Sequence, residues 1–288
     1  MKPARFDYHA PEELTEVIGL LAEPDARVIA GGQSLVPLMN FRIASPASLV
    51  DLRRVEQLHR VEVDDSGELV IGAGATQSRV LADPRVARHW PLLTQALRQV
   101  GHPQIRHRGT VCGSLAHHDP SAELPAVALA LGARLVVEGA DGRREVAAED
   151  FFVSYYETSL RPGELVTEVR FPAGSPGERH RFTEVARKHG DFALVGAAAV
   201  ARRAPSGALE GLRLVLLGVA DKARAFPEIC RRLIDEQPAD PAQIVNEVQN
   251  MIDPMDDNRA SAAYRRQVAG ELAVEAVQSV WRNNDQSA

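Results

Sequence analysis

Apolar positions along the first half of the chain switch between helical and strand-like spacing. In PEELTEVIGLLAE (11–23) leucine, valine and isoleucine recur every three or four residues, which predicts an amphipathic helix with Pro11 in its first turn. ARVIAGG (26–32) is a short apolar run closing on a glycine pair, the mark of a buried strand entering a tight turn. ASLVDL (47–52) reads as another strand, and LHRVEVDDSGELVIGAGAT (58–76) as two strands joined across Asp64–Gly67. Helices are predicted from Ser78, over Pro91–Val100 and over Ala122–Leu131. ARLVVEGADGRREVAAEDFF (133–152) predicts a hairpin turning at Asp141-Gly142, and ELVTEVRFP (164–172) one more strand.

PAGSPGER (172–179) is the densest Pro/Gly/Ser stretch and the expected domain boundary. Beyond it, FTEVARKHGDFALVGAAAVARR (182–203) and ALEGLRLVLLGVA (208–220) predict long strands of an antiparallel sheet. From Lys222 the pattern turns helical, in KARAFPEICRRLIDEQ (222–237), DPAQIVNEVQNMI (240–252) and RASAAYRRQVAGELAVEAVQSVWRN (259–283). The expected architecture is an α/β domain over 1–175 followed by a smaller α+β domain over 176–288. No internal repeat is visible.

Composition narrows the function classes. With 45% hydrophobic and 25% charged residues in 288, the chain has the balance of a globular protein with a sizeable core. A net charge of -6 and short, scattered basic pieces supply no phosphate-binding face, so nucleic acid is not expected as a partner. MKPARFDYHAPEEL has no apolar leader, and no segment approaches about 18 uninterrupted apolar residues, so no transmembrane segment and a cytoplasmic location are expected. Two cysteines, Cys112 and Cys230, cannot by themselves hold a four-cysteine zinc or an iron–sulfur cluster. A redox centre in this chain would be an organic cofactor.

The stretch GTVCGSLAHHDPSAELP (109–125) concentrates the candidate chemistry. His102, His107, His117, His118 and Asp119 lack the spacing of a helical metal site, so no metal is expected. A nucleophilic Cys112 would need a base and a lowered pKa, and its place between Val111 and Gly113 suits a small residue lining a turn. LVIGAGATQSRVLADP (69–84) suggests a dinucleotide fingerprint, but its third glycine position is Gln77 and Pro84 crowds the crossover helix. The plainer reading is a strand ending at a Thr76 helix cap. What remains is a pair of small-residue turns, AGGQS (30–34) and GTVCGS (109–114). Glycine lets main chain approach a ligand closely and aim successive N–H groups at it, and Ser34, Thr110 and Ser114 add hydroxyls. Facing each other, two such turns could grip a pyrophosphate without a lysine.

At AGGQSLVPLMNFRIASPASLVDL (30–52), GHPQIRHRGTVCGSLAHHDPSAELPAVALALGA (101–133) and RKHGDFALVGAAA (187–199) the sequence resembles the FAD-binding medium subunits of the molybdenum hydroxylases. That family includes bacterial carbon-monoxide dehydrogenase and the flavin domain of xanthine dehydrogenase, and the resemblance runs through nearly the whole chain. It implies an α+β chain: a vanillyl-alcohol-oxidase-type (PCMH-type) FAD-binding domain of two α/β subdomains, at about 1–55 and 56–175, followed by a C-terminal domain of antiparallel sheet and helices. Carried over by position, Ala30, Gly31, Gly32, Gln33, Ser34 and Leu35 match the first pyrophosphate loop, and Thr110, Val111, Cys112, Gly113 and Ser114 the second. Glu123 falls where relatives have an aspartate at the ribityl chain, and Val166 and Lys188 match positions near the flavin ring. Cys112, Ser114 and His118 stand where many relatives have glycine, asparagine and alanine. None of the three forbids FAD.

The resemblance implies FAD and no catalytic side chain in this subunit; non-covalent binding is expected because neither His nor Cys occupies the first loop, with Cys112 in the second loop the one route left open to a covalent link. Molybdopterin would sit on a large partner subunit and two 2Fe-2S clusters on a small one, in a heterotrimer or its dimer. Electrons would pass from the nearer cluster to FAD and on to an external acceptor. One alternative is a self-sufficient flavin-dependent reductase or oxidase of the same fold, and another an interaction subunit without flavin. The apolar run LVPLMNFRIASP (35–46) lacks helical amphipathicity and suits either a cover over the flavin or a face toward a partner.

Overall fold

In the computed structural model, which describes residues 1–281 except 205, 207 and 237–239, the chain divides into two units. The first holds residues 1–83, 102–118 and 132–173; the second holds 84–101, 119–131 and the chain from Gly174 onward.

The first unit opens with a parallel sheet of β1 (Asp7–His9), β2 (Ala26–Ile29) and β3 (Ser48–Asp51), in the order β1-β3-β2. β1 was not anticipated; two of its three residues are exposed, so it carries no alternating pattern. The helix Leu14–Leu21 buries Val17 and Leu21, one helical turn apart. It starts three residues after Pro11, because Glu13 is still extended (φ -116°, ψ 142°), which corrects the expected first-turn proline. The run 35–46, which lacks an amphipathic stripe, nevertheless opens with a helix, Leu35–Asn40, that buries only Met39. Pro37 fits there because the first turn of a helix has no intrahelical acceptor for its N–H groups.

An antiparallel sheet follows in the same unit. Its strands are β4 (Val61–Val63), β5 (Leu69–Gly72), β6 (Arg134–Gly139), β7 (Gly142–Ala147) and, beyond a small hairpin of β8 (Phe152–Ser154) and β9 (Glu157–Thr158), β10 (Leu165–Phe171). The order is β4-β5-β10-β6-β7. Both expected hairpins occur: Gly67 N–H donates to Asp64 O at 2.9 Å, and Gly139 pairs with Gly142, which moves the second turn one residue back, from the expected Asp141-Gly142 to Ala140-Asp141. β10 alternates Val169 and Phe171, both buried and apolar, with Glu168 and Arg170. The Glu168 carboxylate, 4% exposed, accepts from Arg60, from Arg143 at 3.0 Å and from Arg170 at 2.8 Å. The helix Val111–His117 packs on β5 and β10 through Val111 and Leu115, both fully buried. GTVCGS is therefore a capped helix start rather than a free turn.

The second unit is a four-stranded antiparallel sheet with helices on both faces. β11 (Arg179–Ala186), β12 (Ala193–Arg203), β13 (Leu209–Leu217) and β14 (Arg224–Ala225) run in sequence order. Val195, Ala197, Ala199 and Ala201 alternate along β12 into a core shared with helices Pro227–Asp235, Pro241–Met251 and Ala262–Trp281. The first of these helices starts at Pro227 rather than Lys222, since β14 pairs with β13 ahead of it. Residues 237 and 282–283, also expected to be helical, lie outside the described residues. The helix Glu123–Leu131 packs on β12 and β13 and buries seven of its nine residues, so it needs no amphipathic stripe.

Candidate nucleotide cradle

Two glycine-bearing segments meet in the first unit. After β2, Gly32 takes a left-handed φ of +71°, and Gln33 Nε2 donates to Gly31 O at 3.2 Å. This folds residues 30–34 into a tight loop before the Leu35–Asn40 helix. Gly31 shows why glycine is needed: a Cβ there would lie 2.2 Å from Arg108 O and 2.7 Å from Gly109 Cα. Main chain touches main chain, with no room for a side chain between.

The second segment is built around Thr110. Its Oγ1 accepts the Gly113 N–H at 3.0 Å, capping the Val111–His117 helix. A Cβ at Gly113 would come within 2.7 Å of that hydroxyl and 3.8 Å of Ala30 Cβ. Residues 30–32 and 108–113 thus form one continuous patch of main chain and small side chains. Gly31, Gly32, Gln33, Ser34, Leu35, Gly113 and Ser114 are all partly exposed along it. Such a patch offers main-chain N–H groups and hydroxyls to a phosphate ester, and a branched side chain at either glycine would fill it. The residues therefore fit a pyrophosphate-bearing nucleotide.

The other sequence candidates occupy different surroundings. Val111 and Cys112 face the core and can offer only main chain. Cys112 Sγ lies 3.5 Å from Ile71 O, and burial pushes its thiol up to about 12, which removes it as a nucleophile or flavin tether. Val166 is buried in β10 beside a bulge between Val166 and Glu168. Glu123 and Lys188 lie in the second unit. Burial, then the nearby Glu184 carboxylate, pushes the Glu123 carboxyl up to about 8, so near neutral pH it carries a proton and can donate as well as accept. Lys188 is exposed, 3.8 Å from Asp191 Oδ1.

The dinucleotide fingerprint is spent on chain packing. A Cβ at Gly72 would lie 2.3 Å from Leu58 O, and one at Gly74 would lie 2.7 Å from the His59 ring. Thr76 does cap the following helix, accepting the Arg79 N–H at 3.3 Å. That same turn backs the second segment from the buried side, a role which sequence reasoning missed. Gln77 N–H donates to Gly109 O at 2.8 Å, Thr76 bridges Thr110, and Val111 N–H reaches Ala75 O at 3.4 Å. A glutamine opening a helix amid apolar residues was the available signal. Of the histidines, His118 is fully buried with Nδ1 3.0 Å from Glu157 O, stacked on Phe152 at 4.7 Å. Among the described residues no group of three or more His, Cys, Asp or Glu is placed to hold a metal, and no helix is long and apolar enough to cross a membrane.

Residues 4–174 match the family model of the FAD binding domain in molybdopterin dehydrogenase, and residues 180–280 that of the CO dehydrogenase flavoprotein C-terminal domain. The alpha subunit of the 6-hydroxypseudooxynicotine dehydrogenase complex of Paenarthrobacter nicotinovorans is 38% identical over 93% of this chain and 92% of its own. Carbon monoxide dehydrogenase medium chain of Hydrogenophaga pseudoflava is 34% identical over 98% and 99%. Among solved structures, carbon monoxide dehydrogenase from H. pseudoflava, in a form lacking the Mo-pyranopterin moiety, aligns with a TM-score of 0.92 at 34% identity, covering 98% of this chain and 99% of that one. Quinoline 2-oxidoreductase from Pseudomonas putida 86 aligns at 0.91 and 36% identity, covering 98% of each.

Proposed function

Because the chain belongs to the family of FAD-binding subunits of the molybdopterin dehydrogenases, we propose that it is the FAD-carrying electron-transfer subunit of a heterotrimeric molybdenum hydroxylase. Its partners are a large molybdopterin subunit and a small 2Fe-2S subunit, and the assembly is a dimer of heterotrimers in the cytoplasm. As sequence domains, 1–175 is the flavin domain and 176–288 the C-terminal one. Bound FAD supplies the chemistry, accepting electrons singly and releasing them singly or in pairs.

The observation that carries this reading is the main-chain contact between Gly31 and Arg108–Gly109, which joins the two glycine loops into one cradle. Ala30 to Leu35 would hold one side of the pyrophosphate through main-chain N–H groups, helped by the Ser34 hydroxyl. Thr110 to Ser114 would line the other side, the Ser114 hydroxyl donating and the Thr110 cap on the Gly113 N–H keeping that loop in shape. Val166, Glu123 and Lys188 enter the assignment through the family resemblance. The protonated Glu123 carboxyl would serve a hydroxyl as donor or acceptor, which an ionised aspartate could do only as acceptor.

The purified full chain should show flavin absorbance, with about one FAD per chain released by acid. Coexpressed with its partner subunits it should purify as a heterotrimer or its dimer. Alone it should oxidise no organic substrate; turnover by the isolated chain with only an artificial acceptor would replace this reading with a self-sufficient flavoenzyme.

A further inference from the structure

Gln77 is 4% exposed at the first position of the Gln77–Ala82 helix, in a stretch where Ala73, Ala75 and Val80 are also buried. Its main-chain N–H donates to Gly109 O at 2.8 Å, and its side-chain Nε2 lies 3.5 Å from Thr110 O. A Cβ on Gly109 would lie 3.1 Å from Gln77 Oε1, so the amide packs closely against that glycine. Main chain and side chain together therefore brace the Gly109–Thr110 segment. Thr110 in turn fixes Gly113, the glycine facing Ala30.

The brace carries a cost. Among the described residues no donor reaches Gln77 Oε1, although the atom is fully buried. An unsatisfied buried acceptor is destabilising, and an apolar group of the same shape is neutral or better. A side chain present only to fill this space would do better without an amide.

We infer that Gln77 is a positioning residue for the cofactor cradle, acting through Thr110 to set the second loop for a nucleotide pyrophosphate. The inference rests on the FAD reading above and is tested with FAD itself as the probe on the full-length chain. Gln77→Met keeps the length and removes both polar atoms. It should leave the melting temperature of the flavin-free chain equal or higher, raise the FAD Kd about tenfold, and shrink the FAD-induced rise in Tm. A purely structural role gives the reverse pattern: a lower flavin-free Tm with an undiminished FAD-induced rise.

Gln77→Glu supplies a second readout. Ionised, its carboxylate faces the Thr110 carbonyl and adds negative charge beside the pyrophosphate; protonated, it can again donate to Thr110 O. Its FAD Kd relative to the wild-type chain should be raised at about pH 9 and return toward unity at about pH 6. Wild-type Kd in Gln77→Met, or a pH-independent ratio in Gln77→Glu, overturns the inference. A wild-type chain whose Tm does not respond to FAD sinks the underlying FAD reading instead.

Discussion

Replacing Gly31 by alanine tests the cradle at its tightest point. The added Cβ would lie 2.2 Å from Arg108 O and 2.7 Å from both Arg108 C and Gly109 Cα, where ordinary contacts begin at 3.4 Å. All three atoms are main chain, so no side chain can rotate away. The two loops must separate by roughly 1 Å or more, an overpacking that costs about 3 kcal/mol. For a domain of this size that lowers Tm by about 6–12 °C. The separation also widens the gap across which Gly113 and Ala30 would grip the pyrophosphate, so FAD content should fall more steeply than stability. Gly19→Ala is the matched control: Gly19 is exposed in the Leu14–Leu21 helix with nothing within 4 Å of its new methyl. It should gain about 1 kcal/mol of helix propensity and keep its flavin. Differential scanning fluorimetry and the absorbance ratio of flavin to protein read both quantities on the same samples. A Gly31→Ala chain with wild-type Tm and full FAD would refute the close main-chain approach and the cradle built on it.

Burial raises the Glu123 and Glu184 carboxyls to about 8 and about 7, so the folded chain holds these protons more tightly than the unfolded one. Their contribution to stability is whole below the ordinary carboxylate pKa of 4.5 and is lost as pH rises through about 7 to 8. The flavin-free chain should therefore melt several degrees lower at about pH 9 than at about pH 6, and Glu123→Gln should flatten that slope; an unchanged slope in the variant would count against the buried pair. Trichloroacetic acid should release all the flavin, and Cys112→Ser should retain it, because the Cys112 thiol is buried and raised to about 12; flavin left on the denatured chain would contradict this. Glu168→Gln leaves three guanidinium groups around a neutral amide and should cost about 1–3 kcal/mol, moderated by the exposure of Arg60 and Arg143, in a urea titration.

The elements with a strong period were legible in the sequence. The Leu14–Leu21 helix, the β4–β5 and β6–β7 hairpins and the antiparallel β11–β13 sheet follow from spacing and turn residues close in the chain. So did the two glycine loops as unusual stretches, and their resemblance to one family. Local pattern was silent where distant residues decide. Pro37 is compatible with the Leu35–Asn40 helix because it falls in the first turn, where no N–H is missed, but no apolar stripe announces that helix. Gly31 must be glycine because Arg108 and Gly109 arrive against it from more than seventy positions away. Gln77 becomes a brace only once the Gly109–Thr110 segment lies beside it. The proton on Glu123 depends on burial and on Glu184, a strand residue remote in sequence. Period and capping are written into neighbours along the chain. Close approach and desolvation are properties of space, and the tertiary fold alone sets them.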